Sequence, residues 1–450
     1  MFDKVLIANR GEIAVRIIRA CRELGVRTVA VCSEADRTAL HAQIADETIC
    51  IGPAPTSESY LDMRAILAAC EVSGAQAVHP GFGFLSENAA FAKLLQRCSV
   101  KFIGPDPESI ERMGDKANAK KTMQQAGVPV IPGSEGAVPT LEEALQIAGQ
   151  IGYPVLVKAS AGGGGRGIRA VRSAEEMRCA FTAAEEEALR FFGNKDVYIE
   201  KLIVNPRHVE VQILADEYGN VVHFGERDCS LQRRKQKVLE ETPCPTAAMT
   251  PALRARMGEA AVAAAKAVGY KNAGTVEYLL DDSGNFYFME MNTRIQVEHP
   301  ITELVYGVDL VKQQICIAAG QELTLRQEQL HPTGHAIECR INAENPQEDF
   351  RPSPGEIRSL YMPGGPGIRI DSAVYAGYVI PPYYDSMLAK LIAYAPTREE
   401  AIAKMRWALA EFIVDGVDTN IDFQLSIIAD PNFIAGDYDN GYLERQLGKK

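Results

Sequence analysis

The stretch from Lys4 to Ser33 constrains the fold most. Lys4–Ala8 is a short apolar run of strand length. Ile13, Ile17, Ile18, Cys21 and Leu24 then recur at helical spacing, and Gly25 stops the helix. Thr28–Ser33 is a second, β-branched strand. Strand, helix and strand at this spacing make a parallel crossover unit. Ala75–His79 and Lys101–Gly104 read as later strands of the same sheet. The first turn, Ala-Asn-Arg-Gly-Glu-Ile, has one glycine where the dinucleotide fingerprint needs three. Glu34 or Asp36 could imitate the ribose-binding acid, but an acid after a strand is common by chance, so an oxidoreductase is disfavoured.

A chain of 450 residues needs more than one core, and two to four domains are expected. The net charge of −12 argues against nucleic acid and against anionic membrane surfaces as partners. No apolar run reaches the roughly 18 residues of a membrane span, and MFDKVLIANRGE lacks a signal-peptide core. The ten cysteines are scattered without a C-x-x-C pair, which excludes the usual zinc spacings. A cytoplasmic protein with reduced thiols is the expectation.

Asp106 to Gly127 reads as helical, and Val128–Gly133 as a boundary. Pro154–Lys158, Ile168–Val171 and Val197–Lys201 are predicted strands around an acidic helix at 174–190. Between the first two strands lies KASAGGGGRGI, residues 158–168. Four glycines form a flexible linker or a loop whose bare backbone approaches an anion. Strand–loop–strand is not the P-loop context, so the glycines read as a hairpin flap over a ligand. From about 204 to 300, strands predominate around one helix at 251–267. The last segment carries a strand ending in Arg340, Gly/Pro-rich turns near 352–367, and helices at 398–413 and 417–429.

The run Asn285–Glu298 is the most informative about chemistry. In an extended chain Glu290, Asn292, Arg294, Gln296 and Glu298 share one face, with Met289, Met291, Ile295 and Val297 on the other. If Ser283-Gly284 is a two-residue hairpin turn, Glu277 falls opposite Glu290. Facing carboxylates call for a cation between them. Glu277, Glu290 and Asn292 offer only oxygen, which suits Mg²⁺ or Mn²⁺ rather than zinc. With Lys158 at a strand end and the glycine flap beyond it, these are parts for ATP and phosphoryl transfer.

The chain resembles biotin carboxylase, an ATP-grasp enzyme, over nearly its whole length. The resemblance rests on KVLIANRGEIAVRIIRACRELG, HPGFGFLSEN, MGDKANAK, the glycine loop, NPRHVEVQ, ERDCSLQRR, MNTRIQVEHP, ECRINAEN and PPYYDSM. Carbamoyl phosphate synthetase shares the nucleotide parts but not ECRINAE or PPYYDSM. The resemblance implies an α/β (α+β) chain: a Rossmann-like N-terminal domain (1–115), an ATP-grasp domain (116–334, lid about 131–203) and a mixed C-terminal domain (335–450).

It also implies roles. Lys116 and Lys158 hold ATP phosphates, Gly164 and Gly165 lie in the lid, and Glu200, Lys201, Leu202 and Ile203 line the adenine pocket. His208, Gln232 and Lys235 are further nucleotide contacts. Glu277, Glu290 and Asn292 bind Mg²⁺ or Mn²⁺, as two ions. Lys237, Arg294, Gln296 and Val297 form the bicarbonate site, Glu298 is the base, and Arg340 and Phe82 meet biotin. The implied reaction is ATP-dependent carboxylation of biotin through carboxyphosphate. Its implied setting is acetyl-CoA carboxylase, with pyruvate or propionyl-CoA carboxylase, or another ATP-grasp ligase, as alternatives. Two residues depart from the family's frequent pattern: Lys235 stands where histidine is common, and Phe82 where tyrosine is. No Met-Lys-Met occurs, so biotin is expected on a separate carrier protein. Carboxyltransferase subunits and a homodimer complete the implied assembly.

Overall fold

The computed structural model describes residues 1–159, 168–192 and 195–448; Gly164 and Gly165, expected in a lid, lie outside them. The chain forms two compact units. One comprises Met1–Val128, Arg207–Tyr278 and Glu290–Lys450, and the other Pro129–Pro206 with Leu279–Met289.

In the first unit, β1 (Lys4–Ile7), β2 (Arg27–Cys32), β3 (Glu47–Cys50), β4 (Ala77–His79) and β5 (Lys101–Phe102) form a parallel sheet ordered β3-β2-β1-β4-β5. β1 is central and wholly buried, which is why it reads as an unbroken apolar run. Val5 and Ile7 pack with Ile13 and Ile17 of the helix Gly11–Glu23. Leu6 joins Val29, Val31 and Phe91 on the opposite face. Burial of each such Ile or Leu contributes about 1.5–3 kcal/mol. Gly25, at φ +71°, ends the helix where a side chain would be strained. The strand β3 escaped the periodicity reading because its residues alternate between half-buried and exposed at the sheet edge.

The same unit carries most of an eight-stranded sheet. Its members are β9 (Arg207–Ala215), β10 (Val221–Arg233), β11 (Gln236–Thr242), β12 (Asn272–Leu280), β13 (Phe286–Asn292), β14 (His335–Asn342), Ile368–Ser372 and Met387–Ala395. The order is β13-β12-β9-β10-β11-β14, then Met387–Ala395, then Ile368–Ser372. One face, with Leu239, Ile337, Cys339 and Leu391, packs on the helices Arg398–Glu411 and Ile421–Ile428. By alternation, Glu240, Glu338, Arg340 and Lys390 fall on the other face. β14 runs two residues past the predicted stop at Arg340. The helix predicted at 417–429 starts only at Ile421, because the Asp418 and Asn420 N–H groups bond to Ser353 Oγ (3.0 Å) and the Asn342 carbonyl (3.1 Å) instead.

Glu241 ties the last helices to this sheet. It accepts from His335 Nε2 (2.6 Å), Arg398 Nε (2.7 Å) and the Tyr438 hydroxyl. Burial would raise its pKa, but His335 and Arg398 outweigh that and bring it from the ordinary 4.5 to about 2. A depressed carboxyl stabilises the fold above its unfolded pKa and loses that contribution as pH falls through the folded value. The loss therefore spans the window between those two values and amounts to about 3 kcal/mol. Acid unfolding of Glu241→Gln should be correspondingly less steep than that of the wild type. Parallel stability–pH curves for the two proteins would refute this.

In the second unit, β6 (Val155–Ala159) pairs antiparallel with β7 (Ile168–Val171) and β8 (Val197–Lys201). Val155, Val157, Val197 and Ile199 pack on the helices Leu141–Ile151 and Ala174–Phe192.

Candidate active site

His208, Glu210 and Gln212 alternate along β9 and so share a face, inside a strand that is buried throughout. Lys237, on β11, reaches that row. Its Nζ lies 2.5 Å from Glu210 Oε2, 2.6 Å from Glu298 Oε1 and 3.3 Å from Glu277 Oε1. Burial would lower the lysine, but the surrounding carboxylates outweigh it and hold it well above the ordinary range. Arg227, fully buried on β10, donates to Glu210 (2.6 Å), Gln212 (2.8 Å), Thr302 (3.0 Å) and Thr275 (3.2 Å). His208 Nδ1 lies 2.7 Å from Gln232 Nε2, and its Nε2 lies 3.2 Å from Glu277 Oε2.

Glu298 is the meeting point. It is inaccessible to solvent and precedes the helix His299–Tyr306. Arg340 Nη2 lies 3.0 Å from its Oε2, opposite Lys237 on Oε1. Burial alone would raise this carboxyl. Lys237, Arg340 and Arg227 overcome it and hold Glu298 well below the usual carboxylate range. Glu298 is therefore an anion clamped between two cations, a base in its receptive form. The same argument holds for Glu277: burial raises it, and Lys237 and His208 bring it well below the ordinary range.

The extended face predicted for Glu290–Glu298 needs correction. Strand geometry ends at Asn292, and the chain reaches Glu298 through bends and a turn. Arg294 is the physical reason. Its guanidinium donates to Asn292 Oδ1 (3.0 Å), Gln296 Oε1 (2.9 Å) and the Ile295 carbonyl (3.3 Å), folding the segment on itself. Asn292 and Gln296 in turn donate to Glu277 Oε1 at 2.8 and 3.1 Å. The polar set is thus brought together by side-chain bonds rather than by strand alternation.

The hairpin turn is also different. Asp281 N–H donates to the Asn285 carbonyl (2.9 Å), leaving three residues in the loop, and the Asp281 side chain caps Ser283 and Asn285 N–H. The register that a two-residue turn would set, Glu277 opposite Glu290, does not follow. The two carboxylates meet different cations instead: Glu277 shares Lys237 with Glu210 and Glu298, and Glu290 has Lys116 at 3.1 Å.

Lys235 sits with Arg234 at an exposed turn between β10 and β11, both at positive φ. Val297 offers its carbonyl to Lys390 (2.9 Å). Phe82 is half-buried against the apolar clusters around Ile13 and Leu310. In the second unit, Lys158 pairs with Glu200, and Lys201 turns to the Gly152 and Tyr153 carbonyls at 3.0 Å each. Leu202 and Ile203 line an open pocket of about 400 Å³.

Glu210, Arg227, Glu240 and Glu87 were missed by sequence reasoning. Glu87 receives Arg294 Nε (2.9 Å) and Thr293 N–H (3.1 Å). The signal for Glu210 was present, as polar residues alternating within the apolar run HVEVQ.

Glu277, Asn292 and Glu290 suit a hard divalent cation in donor chemistry. Glu277 is ionised and takes the Asn292 Nδ2 amide at 2.8 Å, while Asn292 Oδ1 accepts from Arg294 (3.0 Å) and Glu290 pairs with Lys116 (3.1 Å), so each of these oxygens is held by a donor or cation that an ion would replace.

Three family models cover the chain: the biotin carboxylase N-terminal domain at residues 1–110, the carbamoyl-phosphate synthase L chain ATP-binding domain at 115–326, and the biotin carboxylase C-terminal domain at 338–445. Biotin carboxylase 1 of Bacillus subtilis is 57% identical over 445 residues, covering 99% of this chain and 98% of that protein. The biotin carboxylase domain of a thermophilic 2-oxoglutarate carboxylase, bound to bicarbonate, superposes with a TM-score of 0.94 at 50% identity, covering 99% of this chain and 98% of its own. The corresponding domain dimer from Hydrogenobacter thermophilus, in complex with MgADP, ADP and bicarbonate, gives 0.87 at 51% identity, with the same coverage of both chains. With full-length identity at this level and a sheet face built around one clamped carboxylate, the chain belongs to the biotin carboxylase family of ATP-grasp ligases.

Proposed function

We propose that this chain carboxylates biotin on a carrier protein, using ATP and bicarbonate. The observation that carries the reading is Glu298 held ionised between Lys237 and Arg340, with Arg294 tied to the same network. Bicarbonate is a poor electrophile and must be activated. Arg294 and Lys237 grip its oxygens, and Glu298 accepts its proton as an oxygen attacks the γ-phosphorus of ATP and ADP leaves. The resulting carboxyphosphate breaks down to CO₂ and phosphate. Biotin N1 loses its proton to that phosphate and attacks CO₂, while Arg340 stabilises the negative charge on the ureido oxygen. Glu277, Asn292 and Glu290 would hold Mg²⁺ or Mn²⁺, as two ions, which neutralises the ATP phosphates.

Lys116, Lys158, Gly164, Gly165, Glu200, Lys201, Leu202, Ile203, His208, Gln232 and Lys235 are assigned to the nucleotide. Gln296, Val297 and Phe82 are assigned to the bicarbonate and biotin side. Domains of 1–115, 116–334 and 335–450 fit this division of labour. A carrier protein, carboxyltransferase subunits and a homodimer in the cytoplasm complete the assembly, with acetyl-CoA as acyl acceptor. No helix among the described residues is long and apolar enough to cross a membrane.

The test is ADP release with Mg²⁺ and bicarbonate, with and without free biotin. Stimulation by biotin is expected, and its absence would favour another ATP-grasp ligase. Lys158→Gln and Glu290→Gln should each raise the ATP requirement on the order of tenfold or more without unfolding the chain. Unchanged ATP and Mg²⁺ dependence in both variants would remove them from the nucleotide site.

A further inference from the structure

Beneath Arg340 lie two buried glutamates that the reaction above does not use. Glu240 on β11 and Glu338 on β14 are direct cross-strand partners, and neither is accessible to solvent. Directly opposed residues of an antiparallel pair project to the same side, about 5 Å apart at Cβ. Their partners differ sharply. Glu240 Oε1 accepts Arg340 Nε at 2.7 Å and lies 2.5 Å from Nη2. Neither Glu338 oxygen has a hydrogen-bond donor among the described residues, and Glu240 Oε2 also lacks one. Lys390, the other cation on this face, turns its Nζ to Glu12 Oε2 (3.1 Å) and the Val297 carbonyl (2.9 Å), so two adjacent buried anions would share one guanidinium, which is untenable unless one is protonated. Burial pushes both up, Glu240 to about 7 and Glu338 well above the carboxylate range. The group holding the guanidinium keeps its charge, so the proton resides on Glu338.

Arg340 therefore has two anchors of different character. Its contact with Glu298 depends on a carboxylate that must take up a proton during bicarbonate activation. Its contact with Glu240 does not. We propose that Glu240 is a positioning residue for Arg340 in the biotin half-reaction, and that Glu338 opposite it is the neutral member of the pair. When Glu298 is protonated its hold on Arg340 weakens, and Glu240 keeps the guanidinium aimed at the ureido oxygen. Without Glu240 the arginine would lose its alignment at the moment biotin needs it.

This inference rests on the proposed biotin carboxylation, and the experiment separates the two. Carboxybiotin formation and biotin-independent, bicarbonate-dependent ADP release are measured in the full chain for wild type, Glu240→Gln, Glu240→Asp and Glu338→Gln. Glu240→Gln should lower carboxybiotin formation roughly tenfold to a hundredfold and raise the KM for biotin, with ADP release within about threefold of wild type. Glu240→Asp retains the charge and should recover part of the loss, which also keeps the test open if the amide variant folds poorly. Glu338→Gln replaces a neutral carboxyl by a neutral amide and should leave both rates within about threefold. Wild type that makes no carboxybiotin would overturn the functional reading. Wild type that does, with Glu240→Gln losing both activities equally or neither, would overturn the positioning role. A loss in Glu338→Gln equal to that in Glu240→Gln would overturn its neutrality.

Discussion

Glu298→Gln should reduce bicarbonate-dependent ADP release and carboxybiotin formation together, by roughly a hundredfold to ten-thousandfold, the range of a lost general base. An amide preserves the shape of the side chain but cannot take the bicarbonate proton, so neither carboxyphosphate nor anything downstream of it forms. Arg340→Ala should behave differently. It loses the cation on the ureido oxygen, and carboxybiotin should fall about a hundredfold or more. Arg340 also touches Glu298 at 3.0 Å, so the two roles are not spatially separate. Lys237 remains on the other carboxylate oxygen at 2.6 Å, and Glu298 stays ionised with one cation instead of two. ADP release in Arg340→Ala should therefore persist within about tenfold of wild type. The two products are assayed separately in each variant. If Arg340→Ala lost ADP release as severely as Glu298→Gln, distinct roles for the two residues would have to be abandoned.

Arg227→Met should be the most destabilising single change at the site, costing about 3–5 kcal/mol. Arg227 is fully buried and makes hydrogen bonds to four side chains. Its removal leaves Glu210 with Lys237 at 2.5 Å and the His208 ring at 3.9 Å, while Lys237 must also serve Glu298 and Glu277. Burial already raises Glu210, with Lys237 and Arg227 opposing that rise, so the variant leaves an uncompensated charge in a low-dielectric interior. The double variant Arg227→Met/Glu210→Gln removes that charge and should regain much of the loss. Chemical denaturation of the two single variants and the double variant measures this coupling. A cost below about 1 kcal/mol for Arg227→Met would show the buried network to be dispensable. Lys116→Gln is the contrast. Lys116 is 83% exposed, so its pair with Glu290 should contribute little to folding.

These effects divide the molecule into what local sequence determines and what long-range pairing determines. The opening crossover was legible because one buried strand and one amphipathic helix each declare themselves within a few residues: Val5–Ile7 as an apolar run, Ile13 and Ile17 by spacing. The strands of the second unit were legible for the same reason. The set Asn292, Arg294, Gln296 and Glu298 was also visible as a set, although its extended geometry was not. Arg294 folds the segment through bonds of its own that no periodicity encodes.

Tertiary structure alone decided which cation serves which carboxylate. Alternation assigns a residue to a face of its strand, but it does not say which strand lies beside it. Glu210, Lys237, Glu298 and Arg340 are spread over 130 positions of the sequence, and they meet only because β9, β10, β11 and β14 are neighbours in one sheet. The partnership of Glu240 with Glu338 likewise depends on the register of two strands almost a hundred residues apart. Charges that look like ordinary surface residues in the sequence become a buried, mutually compensating cluster, and the ionisation states needed for the chemistry exist only once that sheet has formed.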